Sequence, residues 1–192
     1  MAWVGTRGLR LFAAEEQLWQ ANWKLLVEGG LEAYHFRVTH RDTIARLFND
    51  NLSSYQCFGP NFRSILPRAG LLQLQDKPED EWDIRECSNL LYTIFPSNSL
   101  LVQSDHVVWI RNEPLSAGQT RIRVATLVPR ESARPDTYWQ KNHAFTVKTL
   151  TEDFEIAQSI QSGLDSGANT VLNFGRFEGA LARFNEQVRQ RI

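Results

Sequence analysis

Cysteine is scarce in this chain. Among 192 residues there are two, Cys57 and Cys87, and neither falls in a Cys-x-His or Cys-x-x-Cys pattern. That spacing excludes a cysteine-bound zinc or an iron–sulfur cluster built from these residues. Two lone thiols fit free, buried side chains better than a disulfide. Long apolar runs are also missing. None approaches the roughly 20 residues that span a bilayer, and Met1–Arg10 lacks the apolar core of a signal peptide. The expectation is a cytoplasmic protein. Charge of one sign is absent too: the formal net charge is −1, which gives no reason to expect nucleic acid or an anionic membrane as partner. There are no internal repeats and no low-complexity tract.

What is present is ordinary globular material, 42% hydrophobic and 22% charged, long enough for one domain with a real core. Residues 1–21 carry little order signal and read as a lead-in segment, leaving 22–192 as a single domain. A helix is expected from Asn22, a good N-cap, weakened or bent at Gly29-Gly30. From Ser54 the pattern turns to strands: Ser54–Phe58, Phe62–Leu66 and Leu71–Gln75, then Asn89–Phe95, Leu100–Ser104 running into His106–Arg111, and Gln119–Val128, with Asp76–Asp83 as a loop. The last strand alternates as a half-buried antiparallel strand does. Pro135 suits the first turn of a helix that reaches Leu164, with room for a break at Thr149–Glu152. After a Gly/Ser/Asn-rich loop at Asp165–Asn173, a final helix from Arg176 to Gln190 places Phe177, Ala180, Leu181, Phe184 and Val188 on one face. The order of elements predicts an α+β fold, an antiparallel sheet covered by C-terminal helices.

The segment Glu32-Ala-Tyr-His35-Phe-Arg-Val-Thr-His40 carries the chemistry. Imidazole is the commonest protein ligand for a transition metal, and two imidazoles with one carboxylate make the facial triad of non-haem Fe(II) sites. On a continuous helix His35 and His40 would stand about 140° apart, so both reach one metal only if the helix ends or bends between them. Val38 and Thr39, both β-branched, make that plausible. Asp153 is the carboxylate best placed to complete the set. On a continuous helix it shares a face with Ala157, Ile160 and Leu164, and a carboxylate in such a face needs a partner or a metal. The residues alone leave a second reading open, an exposed Asp at a helix start where it favours the dipole. His106 reads as structural or pocket-lining, and His143 as exposed or locally satisfied. Trp109, Phe95, Phe145 and Phe174 read as core that could line a pocket, and the scattered Lys and Arg as solvated surface.

Longer motifs add to the spacing. Asn22-Trp-Lys-Leu-Leu-Val-Glu28 running into Glu32-Ala-Tyr-His35 and Thr39-His40 resembles the catalytic domain of Rieske-type non-haem iron oxygenases (the aromatic-ring-hydroxylating α subunit). So do Thr93-Ile-Phe-Pro96, Asp105-His-Val-Val108, Glu152-Asp153 followed by Gln161-Ser-Gly-Leu164, and the closing Gly175–Phe184. The resemblance covers Asn22 to Ile192 in order. It implies a mononuclear Fe(II) held by His35, His40 and Asp153. It also implies a helix-grip (START/SRPBCC-like) fold, a curved antiparallel sheet around a long C-terminal helix. The implied chemistry is activation of O2 and hydroxylation, dihydroxylation or dealkylation of a small organic substrate. Electrons would come from NAD(P)H through a reductase and a [2Fe–2S] Rieske centre, in rings of three subunits.

Glu32 falls where that family carries the acid bridging the iron-ligand histidine to a neighbouring subunit's Rieske cluster. The usual residue is Asp, and Glu occurs in branches that oxidise quaternary ammonium compounds. This tilts the expectation toward a polar or ammonium substrate. Two departures stand out. Glu28-Gly29 replaces the family's Glu-Asn, so that Asn's role has no counterpart here. The Rieske motifs are absent from the chain, which therefore reads as a cut piece or a natural lone domain without its electron donor. A rival reading from a different class is a non-catalytic helix-grip binder of small molecules, since fold does not fix function.

Overall fold

A computed structural model describes residues 6–168 and 171–191. Seven strands form one antiparallel sheet: β1 (Leu9–Trp19), β2 (Ser54–Phe58), β3 (Asn61–Pro67), β4 (Ser88–Ile94), β5 (Asn98–Val102), β6 (Val107–Ser116) and β7 (Gln119–Pro129), in the order β1-β7-β6-β5-β4-β3-β2. From β2 to β7 the sheet is a meander, each strand pairing with the next. β1 then closes the far edge against β7. The helices are α1 (Trp23–Glu28), α2 (Phe36–Thr39), α3 (Ile84–Cys87), α4 (Asp136–Asp165) and α5 (Gly179–Arg191). Sheet and long helix together are the α+β helix-grip arrangement expected. Among the described residues no helix is long and apolar enough to cross a membrane.

The topology places the site. β1 ends at one edge of the sheet and β2 begins at the other, so residues 20–53 must cross the sheet face between them. That crossing carries α1, α2 and both candidate histidines. α4 lies over the same end of the sheet, against β1, β7 and α1. Leu26 from α1, Val108, Ile110, Ile122 and Val124 from β6 and β7, and Phe154 and Ala157 from α4 form one buried cluster. Burying side chains of this size contributes about 1.5–3 kcal/mol each. A second cluster joins α1 to α5 through Trp23, Val27, Ala180, Leu181 and Phe184.

Local chemistry explains most boundaries. Asn22 caps α1 by accepting from the Lys24 amide at 3.0 Å. α1 stops at Glu28, and the following Gly-Gly passes close to β4: a Cβ on Gly30 would come within 3.2 Å of Leu91 Cδ2. The 30 residues of α4 run without interruption. No break occurs at Thr149–Glu152: the hydroxyls of Thr149 and Thr151 bond back to the carbonyls of Phe145 and Val147, both at 3.0 Å, without ending the helix. Pro135 sits just before the first turn rather than within it.

Four further expectations are corrected. The lead-in 1–21 contains β1, which pairs with β7 from Leu9 to Trp19; Phe12 is skipped in the register, and this bulge reverses the face of every later side chain, hiding the alternation. Leu71–Gln75 is not a strand but part of a 3-10 run, Ala69–Leu74; a short apolar run does not reveal its period. The strand expected at Leu100–Ser104 runs instead over Asn98–Val102. The last helix begins at Gly179, not Arg176, so Phe177 lies outside it, 72% exposed. Cys57 and Cys87 are free thiols.

Candidate metal centre

The crossing segment is helical only in pieces. α2 is a single turn with His35 just before it and His40 just after. The expected interruption is therefore real: the turn ends at Thr39, between the two histidines. One turn flanked by both histidines directs both rings toward α4.

Asp153 meets them there. His40 Nε2 lies 3.0 Å and His35 Nε2 3.3 Å from Asp153 Oδ1. One ligand atom from each of the three residues falls within a group no wider than 4.8 Å. These separations are compatible with three donors around one ion. Donors about 2.1 Å from one ion, at about 90° to each other, stand about 3 Å apart. His35 Nε2 is also buried without a hydrogen-bond partner, a position that an ion would complete. The donor set, two imidazoles and a carboxylate on one side with the cavity opposite, fits Fe(II).

Each imidazole is held from behind. The Glu32 carboxylate accepts from His35 Nδ1 in a very short contact and from the backbone amide of Tyr34 at 2.8 Å. Both oxygens are therefore engaged within the segment. His40 Nδ1 lies 2.7 Å from Glu152 Oε2, which also accepts from the Thr43 hydroxyl at 2.6 Å. A carboxylate behind a ligating histidine fixes its tautomer and orientation and raises its basicity. Burial opposes protonation of His35, but Asp153 and Glu32 outweigh it and the pKa rises to about 9. The same contest, with Asp153 and Glu152 prevailing over burial, raises His40. For Asp153 burial acts upward, and the two imidazoles beside it hold the carboxyl below its ordinary value.

Glu152 was read from sequence only as part of a motif with Asp153. Its contact with His40 spans 112 positions. The one available signal was two adjacent acids on a helix whose neighbour faces the core, about 100° apart around the axis. The face of Asp153 is also less buried than expected: Ala157 is covered, but Ile160 remains 42% exposed.

The triad forms part of the wall of a cavity holding about 150 Å³ of free space, about the size that accommodates one six-membered ring. Phe36, Phe48, Leu91, Leu101, Ile110 and Leu150 contribute its apolar surface. Of the aromatics singled out from sequence, Phe145 lines this cavity. Phe95 packs on Phe184, Trp109 donates to Asn98 Oδ1, and Phe174 is 38% exposed. His106 is buried between Asp105 and Gln103, and His143 is satisfied by Thr126 Oγ1 at 2.7 Å.

Comparison with known proteins agrees with this geometry. The family model described as ring hydroxylating alpha subunit (catalytic domain) matches residues 8–192. Among solved structures, the quaternary ammonium Rieske monooxygenase CntA superposes with a TM-score of 0.75 at 18% identity, covering 96% of this chain and 51% of that one. Dicamba monooxygenase gives 0.66 at 11% identity over 95% and 59%, and naphthalene 1,2-dioxygenase from Rhodococcus sp. 0.64 at 15% over 96% and 56%. The chain thus spans about half the length of the CntA structures. No curated protein matches it. With a family model covering nearly the whole length, the chain belongs to the family of ring-hydroxylating alpha-subunit catalytic domains.

Proposed function

We propose that this domain binds Fe(II) through His35, His40 and Asp153 and oxidises a small organic molecule with O2. The observation that carries the reading is the convergence of three donor atoms, two of them on imidazoles held from behind, on the wall of an apolar cavity. Ferrous iron, when bound, supplies the one-electron chemistry that lets ground-state O2 react with an organic substrate.

The chain's own residues do the rest. Glu32 and Glu152 hold the two imidazoles with their Nε2 atoms toward Asp153. The apolar wall strips water from the substrate and places it beside the triad. Glu32 lines this inner cavity and also an outer groove shared with Tyr34, Ile156 and Glu178. A carboxylate common to both faces suits the bridge to a Rieske-centre histidine of a neighbouring subunit, by hydrogen bonding on each side. Electrons from NAD(P)H, passed through a reductase and that [2Fe–2S] centre, would enter here in a ring of three subunits. The overall balance for hydroxylation is O2, two electrons and two protons per substrate, giving one inserted oxygen and one water; dihydroxylation uses the same inputs with both oxygens retained.

The test supplies anaerobically iron-loaded protein with a Rieske donor, its reductase and NADPH under labelled O2, over a panel of single-ring compounds. Label in a product, lost in His35→Ala and Asp153→Ala, is the expected result. A metal-free protein that binds the same compounds unchanged after those substitutions supports a binding module instead.

A further inference from the structure

Away from the triad, the orphaned polar atoms of the cavity wall are of one kind. Among the described residues that line the cavity, two buried side-chain atoms besides His35 Nε2 have no hydrogen-bond partner, Asn89 Oδ1 and Asn112 Oδ1. Both are amide oxygens, which accept and cannot donate. Asn89 is 5% exposed and Asn112 3%. A buried acceptor left unpaired is costly unless something completes it.

Beside Asn89 a further acceptor is fixed by its surroundings. Leu90 pairs with Val102, so Asn89 and Gln103 are neighbours across β4 and the end of β5. They share the cavity side of the sheet with Leu91 and Leu101. The Gln103 backbone is held twice: its amide donates to the His106 carbonyl at 2.9 Å, and its carbonyl accepts from Arg85 Nη2 at 3.0 Å. A chain of bonds then orients its side chain. The Tyr138 hydroxyl donates to Asp105 Oδ2 at 2.6 Å, and Asp105 Oδ1 lies 2.7 Å from His106 Nδ1. Burial acts upward on Asp105, but His106 and Tyr138 hold its carboxyl below the ordinary value. Asp105 therefore accepts on both oxygens, and His106 Nδ1 carries the proton. Burial lowers the His106 pKa against the pull of Asp105, and the Arg68 charge lowers it further. The ring is neutral and its Nε2 keeps a lone pair. Only an N–H suits a position 2.8 Å from that atom, which puts Gln103 Nε2 there and turns Oε1 of the same amide away from His106. No described residue donates to this oxygen.

Two neighbouring amide oxygens without donors, in an otherwise apolar wall, match a hydrogen-bond donor on the ligand. Arg68 follows the Pro67–Ser88 pair and lines the same cavity. Its charge opposes an ammonium at this end, so the donor is a neutral O–H or N–H. We infer that the substrate is a single ring bearing a neutral hydrogen-bond donor, hydroxyl or amino, accepted by Gln103 Oε1 and Asn89 Oδ1, with the ring against Leu91 and Leu101. The inference rests on the cavity being the substrate pocket of the proposed oxygenase. Of the polar or ammonium substrate that Glu32 suggested in the sequence, it keeps the first and sets aside the second. Gln103 becomes a residue that selects substrate.

The experiment uses metal-free protein, so that no probe ligates iron, and measures dissociation constants of phenol, aniline, toluene and benzoate by ligand-observed NMR. Toluene has the size of phenol and aniline but no donor. Phenol and aniline are expected to bind at least as tightly as toluene. Gln103→Leu is expected to weaken phenol about fivefold, the scale of one hydrogen bond, without weakening toluene. Tighter binding of toluene than of both donors by the unmodified protein overturns the inference whether or not the variant folds, because a hydroxyl buried without a partner costs about tenfold. Tighter binding of benzoate than of phenol overturns it too. So does a phenol preference that survives Gln103→Leu and is lost in His35→Ala, which would put the donor on the triad. Iron content separates the two claims: Gln103→Leu is expected to load iron like the unmodified protein, and an unmodified protein that loads iron yet prefers toluene keeps the proposed function and loses the donor.

Discussion

The two histidines of the triad look equivalent in the sequence and are not equivalent in the fold. His40 is 1% exposed and is held by Glu152, brought from α4 with Thr43 as a second donor. His35 is 16% exposed and is held by Glu32, three residues away on its own segment. The inner ring is tied across the molecule and belongs to the core. The outer ring is tied locally and stands beside the groove through which an external redox partner would reach it. Sequence distance between a ligand and its buttress thus separates a structural attachment from an accessible one.

This contrast can be broken by substitution. The largest effect is expected from removing either ring: His35→Ala and His40→Ala should both abolish stoichiometric iron in metal analysis. Only His40→Ala should also cost the metal-free protein about 2–4 kcal/mol in urea denaturation, because it empties a fully buried site. Equal destabilisation by the two variants would erase the distinction.

Proton competition comes next. The His35 pKa is raised from its ordinary 6.5 to about 9, so in the metal-free protein the ring is protonated at neutral pH and must lose that proton to ligate. Iron affinity should therefore rise with pH, by up to about tenfold per unit for each proton released, and flatten above pH 9. Anaerobic Fe(II) titrations across this range check it.

The buttresses follow. Glu152→Ala should weaken iron binding by about 10–100-fold. Glu32→Gln, which keeps an acceptor for His35 Nδ1, should retain iron but slow reduction by a Rieske donor in single-turnover measurements. A normal reduction rate in Glu32→Gln would remove the bridge. The smallest effect is expected for Thr43→Val, about 1 kcal/mol of stability from one lost hydrogen bond.

Particular residues show how far the sequence could be read. The strands from β3 to β7 announced themselves because alternation and turn chemistry agree there. β1 did not, because the bulge at Phe12 flips its faces and leaves Leu11 and Leu18 exposed at 59% and 55%. The histidines were visible as a pair, but their spacing suits a metal only on an interrupted helix, and Gly29-Gly30 gave a hint of that interruption. Asp153 could be singled out among the acids by the apolar face it shares, and as a ligand by family resemblance. Glu152 could not be weighed, since its part depends on a contact across 112 positions.

Crystals soaked anaerobically with Fe(II) and measured on either side of the iron absorption edge give the most direct test. One anomalous peak per chain, within about 2.2 Å of His35 Nε2, His40 Nε2 and an Asp153 oxygen, is the expected result. Iron elsewhere, or no peak from a protein with the triad intact, would contradict the assignment of these three residues.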